Sequence, residues 1–134
     1  MVEFKAVLSA KDGKSYQKEL KGDEAEALHN LRLGDKVSGD KLGFPGYEFQ
    51  ITGGSDKCGF PMRKGIQEAR KKILTKKGVG FCGLNRTGTK QNGLLKRRTV
   101  CGERVTKIIS QVNLKVIKAG AQALAPAEAE KKAE

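Results

Sequence analysis

"YEFQITGGSDKCGFPMRKG", residues 47–65, decides how the chain is read. Its first part alternates Tyr47, Phe49 and Ile51 against Glu48 and Gln50, the period-two pattern of a half-buried strand. Its second part, from residue 53 onward, holds Gly53, Gly54, Gly59, Pro61 and Gly65. So many glycines with a proline read as a loop, not as a helix or a regular strand. A loop of this kind is either slack or shaped to meet something.

The same alternation recurs on both sides. "VEFKAVLS" (2–9) sets Val2, Phe4, Ala6 and Leu8 against Glu3 and Lys5, and "QVNLKVIK" (111–118) sets Val112, Leu114 and Val116 against Asn113 and Lys115. "KDGK" (11–14) is a tight-turn signal that returns the chain along "SYQKEL" (15–20). "GDEAEALHNL" (22–31) predicts a short helix capped by Asp23. "GIQEARKKILTKKG" (65–78) places Ile66, Ala69, Ile73 and Leu74 at helical spacing and predicts an amphipathic helix; the alternative is a turn followed by a short strand around Ile73–Leu74. "GVGFCGLNRTGTKQNG" (78–93) reads as loop, and "LLKRRTVCGERV" (94–105) as short, basic and mixed. Short strands, glycine turns and little helix predict a mainly β fold. The expected form is a small closed or half-closed β-barrel-like domain over residues 1–118 with long glycine-rich basic loops. Residues 119–134, rich in Ala, Glu and Lys, are expected to be a mobile tail with nothing to bury.

Charge is segregated along the chain. The 134 residues carry a net charge of +12, yet residues 1–60 are net −1, residues 61–118 are net +14 and residues 119–134 are net −1. Lysines scattered for solubility would not collect in this way, whereas a surface that meets a polyanion would. Hydrophobic residues make up 37% with no Trp, so the core is modest. No run approaches 18 apolar residues, so no membrane span is expected. The opening lacks the basic and apolar regions of a signal peptide, which predicts an intracellular chain.

Tests for chemistry mostly fail. Cys58, Cys82 and Cys101 contain no CxxC pair, and the only histidine, His29, lies far from them in sequence, so neither a disulfide framework nor a zinc site is expected. "GVGFCG" (78–83) matches GxGxxG by letters, but "LNRTGTKQNG" follows where a dinucleotide fold needs a helix. Metal-dependent nucleases need paired carboxylates, and the basic stretch holds only Glu68 and Glu103. No catalytic residue, metal, cofactor or small-molecule substrate is expected.

Binding remains. The candidate contacts are Arg63, Lys64, Arg70, Lys71, Lys72, Lys76, Lys77, Arg86, Lys90, Lys96, Arg97, Arg98, Arg104 and Lys107, in clusters separated by glycine loops. Glycine lets a backbone approach phosphate closely, and Arg and Lys supply the charge. With only Phe60 and Phe81 as aromatics in this region, base stacking is not expected to dominate, and the stretch reads as a reader of backbone and shape.

The stretch quoted at the outset also resembles a known signature, that of the sixth small-subunit ribosomal protein of the archaeal and eukaryotic type. Ile51, Thr52, Gly53, Gly54, Asp56, Gly59, Phe60, Pro61, Met62 and Arg63 fit that signature in order, and "LRLGDKVSGD", "KKILTKKGVGF", "RTG", "KRRTVCG" and "QVNLKVIKAG" fit around it. The similarity covers roughly residues 1–120. It implies a β-barrel-like domain with a structural role on small-subunit ribosomal RNA, among neighbouring ribosomal proteins, in the cytoplasm. It also implies that "KKILTKK" is strand. The sequence departs from the pattern at Cys82-Gly83, along "TKQNGLL" (89–95) and at Cys101, and its tail has no serine, which points to an archaeal-type member without kinase control. On this reading Phe60 and Met62 anchor the loop, Pro61 stiffens it, and Arg63 and Lys64 project to RNA. The rivals are an RNA-binding or RNA-chaperone protein outside the ribosome and an RNA-modifying enzyme.

Overall fold

The computed structural model describes residues 3–121 and Leu124. Strands β1 (Glu3–Ser9) and β2 (Ser15–Lys21) form an antiparallel hairpin. Its turn follows from Asp12-Gly13: Gly13 takes φ 82°, and the Ala10 N–H donates to the Lys14 carbonyl at 2.9 Å. The chain continues through α1 (Asp23–Glu26), β3 (Lys36–Ser38) and a 3-10 turn (Gly39–Leu42) into β4 (Glu48–Asp56). β5 (Arg70–Thr75) and β6 (Lys96–Cys101) follow, and β7 (Ile109–Lys118) is the last strand among the described residues.

Five strands make one sheet in the order β2-β1-β7-β4-β3. β7 lies at its centre, parallel to β1 and antiparallel to β4. Alternation then buries Val112, Leu114 and Val116 beside Phe4, Ala6 and Leu8 of β1 and Phe49 and Ile51 of β4. Ala25, Leu28, Leu42 and Tyr47 complete the same cluster. Each large apolar side chain buried there contributes about 1.5–3 kcal/mol. Outside this sheet, β5 and β6 pair only with each other, as an antiparallel ribbon.

Five expectations need correction. The sheet does not close into a barrel, because β2 and β3 are its edges and do not pair with each other. The helix read over 65–78 is absent; Gly65 has φ 89°, and Arg70–Thr75 is the strand of the alternative reading. The supposed apolar stripe found no core, since Leu74 is 66% exposed, and the hydrogen bonds come instead from β6, a partner invisible to local periodicity. The helix at 22–31 shortens to one turn; Gly22, not Asp23, is its N-cap and no side chain caps it. The strand over 47–52 runs on through Gly53 and Gly54 to Asp56, so the glycine stretch is not loop from its first residue. At the far end, Leu124 is buried in the core cluster, so residues 119–134 are not wholly without a buried residue. The rest of the expected tail, at residues 122, 123 and 125–134, lies outside the described residues.

The continuation of β4 depends on glycine. The register slips between Ile51 and Gly53 and again between Ser55 and Asp56, and between the slips Gly54 lies against β7. A Cβ on Gly54 would run into the Gln111 carbonyl oxygen and lie 2.8 Å from Met62 Sδ, whereas one on Gly53 would meet nothing closer than 3.8 Å. Gly54→Ala is therefore expected to cost about 1–2 kcal/mol of stability through overpacking. Gly53→Ala should cost clearly less. Thermal melts of the two variants check the contrast, and equal melting temperatures would show that β7 yields to the extra carbon.

Candidate nucleic-acid interface

The interface begins at a buried carboxylate. Asp56 ends β4, and its side chain is 0% exposed. Oδ1 accepts from the N–H groups of Cys58 at 2.8 Å and Phe60 at 2.9 Å. Oδ2 accepts from Arg70 Nη2 and, at 3.2 Å, from the Cys101 thiol. Gly59 takes φ 85° and donates its N–H to the Asp56 carbonyl at 3.0 Å. Residues 56–60 are thus a closed turn held by one side chain, in the manner of aspartate turns generally. The loop is shaped, not slack.

Charge and burial set the titration here. Burial by itself would raise the pKa of the Asp56 carboxyl. The hydrogen bonds from Phe60 N–H, the Cys101 thiol, Arg70 and Cys58 N–H outweigh it and hold the carboxyl below its ordinary value of 3.8. Burial and then the hydrogen bond to Asp56 push the Cys101 thiol up to about 11, so it stays a protonated donor. The hydrogen bond to Asp56 raises the Arg70 pKa.

From this anchor the loop is sewn to the ribbon. The Cys101 N–H donates to the Pro61 carbonyl at 2.8 Å, and the Arg63 N–H donates to the Cys101 carbonyl at 3.1 Å. Met62 is buried and donates its N–H to the Gly54 carbonyl at 2.9 Å. Phe60 is half-buried against the core, with the Arg70 guanidinium 5.2 Å from its ring centre. Farther along, Glu103 Oε2 accepts from the Gly65 N–H at 3.0 Å, and the Glu103 N–H donates to the Ile66 carbonyl at 2.8 Å, so Glu103 holds the 65–69 turn.

The predicted basic residues now fall into distinct groups. Arg63 and Arg70 are internal fasteners. Arg63 Nη1 donates to Thr75 Oγ1 at 3.0 Å and to the Val79 carbonyl at 2.9 Å, and Arg70 pairs with Asp56. Lys71 pairs with Glu68 at 2.8 Å. On one ribbon face Lys96 and Arg98 lie 5.8 and 5.5 Å from the buried Phe81 ring. On the other face, Lys72 and Arg97 are exposed with no ion-pair partner among the described residues. Lys76, Lys77 and Lys90 meet around a cavity of about 280 Å³ with Gly83 and Asn92. Lys64, Arg86 and Arg104 are exposed. Lys107 lies apart from the ribbon, around a cavity it shares with Glu3 and Glu19.

Sequence reasoning missed the fastening roles of Arg63 and Arg70, because a partner many positions away leaves no periodic trace. A signal did exist: Asp56 is the one acid in an otherwise basic loop, and a lone acid among bases invites an internal ion pair. Chemically, the ensemble offers exposed cations on a two-stranded arm, with the nearby acids Asp56 and Glu68 already paired with Arg70 and Lys71.

Comparison with known proteins agrees with that description. The family model for ribosomal protein S6e matches residues 4–128. Relatives named small ribosomal subunit protein eS6 include those of Methanococcus maripaludis, 42% identical over 90% of this chain and 92% of the relative, and Methanosphaera stadtmanae, 41% identical over 95% and 93%. The relative of the same name from Archaeoglobus fulgidus is 41% identical over 89% of this chain and 90% of its own length. A two-stranded ribbon that carries exposed cations, and a family match along nearly the whole chain, lead to one conclusion: this chain belongs to the ribosomal protein S6e family.

Proposed function

We propose that this chain is a structural component of the small ribosomal subunit that binds small-subunit rRNA in the cytoplasm, beside other ribosomal proteins. The observation that carries the reading is the exposed, unpaired positive charge of the β5–β6 ribbon and its loop. Lys72, Lys76, Lys77, Lys90 and Arg97 have no ion-pair partner among the described residues, while Glu68 and Asp56 are already paired with Lys71 and Arg70. A phosphate backbone is the partner that such a surface fits. The ribbon is narrow and its strands pair along their whole length, so it can lie along a groove without reordering. The shared name of the relatives, small ribosomal subunit protein eS6, supports the subunit.

The test is co-sedimentation. The tagged chain should travel with small subunits through a gradient and survive a moderate salt wash. Recovery only in free RNA-bound fractions would favour an RNA chaperone outside the ribosome. Recovery in neither would remove the RNA-binding reading.

A further inference from the structure

Strand alternation places Arg70, Lys72 and Leu74 on one face of β5, and the pairing sets Cys101, Thr99 and Arg97 opposite them on β6. The root of this face is covered. Arg70 and Cys101 bond to Asp56, and the Phe60 ring lies under the Arg70 guanidinium. Farther out the cover stops, and Lys72, opposite Thr99, and Arg97, opposite Leu74, are exposed. A groove of about 510 Å³ opens at this step, lined by Gly59, Phe60 and Pro61 of the motif loop, by Gly80, and by Lys72, Arg97, Arg98 and Thr99 of the ribbon.

Resting on the rRNA-binding reading, we propose that this groove takes a single nucleotide turned out of an RNA helix, its base against Phe60 and Pro61 and its phosphate between Lys72 and Arg97. The chemistry of the lining calls for both halves of that ligand. Phe60 packs on the core with the Arg70 guanidinium over its ring, and the groove meets the part of this apolar ring left open beside Pro61, against which a base can lie. Lys72 and Arg97 stand diagonally across the two strands, a spacing of ~7–8 Å between such positions that lets long side chains close on one anion. No carboxylate lines the groove, because Asp56 lies buried at the root and is neutralised by Arg70. Thr99, directly opposite Lys72 and two positions from Arg97 on the same face, also lines the groove, and its hydroxyl can bond to a ribose or a base edge. A base inside a duplex presents only its edge and cannot reach a recessed ring, so a bulged or looped-out nucleotide is the matching ligand. The volume is ample for one such group.

The test uses three RNA hairpins of equal length: one with a single bulged 2-aminopurine, one with an abasic bulge and one fully paired. Affinities are measured at one fixed salt concentration, with 2-aminopurine fluorescence as a second readout. The bulged base is expected to bind on the order of tenfold more tightly than its abasic counterpart, with its fluorescence quenched on binding, as stacking on an aromatic ring requires. Phe60→Leu should erase that preference. If bulged and abasic hairpins bind the wild-type chain equally and the fluorescence does not change, the pocket is overturned while RNA binding stands. If the chain binds none of the hairpins, even at low salt, both fail. The comparison on the wild-type chain keeps the proposal open to refutation should Phe60→Leu not fold.

Discussion

Raising the salt concentration from 50 to 200 mM is expected to weaken binding of this chain to small-subunit rRNA fragments by roughly 10³–10⁵, for ~6–10 phosphate contacts. Each contacted phosphate releases condensed counterions, so the logarithm of affinity falls linearly with the logarithm of salt. The exposed cations are enough to supply such a number: Lys64, Lys72, Lys76, Lys77, Arg86, Lys90 and Arg97 are all exposed and lack an internal ion pair. Replacing Lys76 and Lys77 together by Ala should lower the slope by about two and leave the melting temperature nearly unchanged. Arg63→Ala should behave in the opposite way. It removes the hydrogen bonds to Thr75 and the Val79 carbonyl, so its main effect is on folding. Filter binding across a salt series, paired with thermal melts, separates the two classes. A flat salt response would mean that the ribbon is not the binding surface.

Asp56→Ala is expected to be the most damaging single substitution in the motif loop. It strips the acceptor from the Cys58 and Phe60 N–H groups, the Cys101 thiol and Arg70 together. A buried donor left unsatisfied costs ~1–3 kcal/mol, and water can reach only the exposed side of this turn, so the loss should be about 3 kcal/mol. For a chain of this size that corresponds to a fall in melting temperature on the order of 10–20 °C. The effect also carries a pH signature. The folded carboxyl titrates below its ordinary value of 3.8, so its contribution is fully present above about pH 4 and is lost as pH falls through the folded value. Wild type should therefore lose stability below about pH 4 more steeply than Asp56→Asn, which has no proton to take up there. Melting curves between about pH 2 and 7 decide the matter. Parallel acid limbs for wild type and Asp56→Asn would remove Asp56 from the acid response.

Some of the fold was legible because its cause was local. β1, β4 and β7 announce themselves by alternation, and each buries residues that alternation selects: Phe4, Ile51 and Leu114 among them. The hairpin turn was legible at Asp12-Gly13 because positive φ is a property of one residue. Other elements had causes that no window of sequence contains. Arg70–Thr75 carries residues at helical spacing, yet hydrogen bonds from Lys96–Cys101 draw it into a strand. Gly22 displaced Asp23 as the cap because the preceding strand delivers the chain at a φ of 60°.

The candidate interface divides in the same way. The amino-acid sequence by itself determined that positive charge collects between residues 61 and 118, and that the Gly-Phe-Pro-Met loop belongs to a ribosomal family, since both are matters of composition and order. Only the tertiary structure decided which of those charges are free. Arg63 and Arg70 read like any other bases in the chain, but folding brings Thr75, Val79 and Asp56 to them and ties them inward, while Lys72 and Arg97 are left outward. The reason is distance in sequence. A charge is a property of its residue, but its pairing depends on which remote segment the sheet and ribbon bring within hydrogen-bonding reach, and Asp56 meets Cys101 across 45 positions.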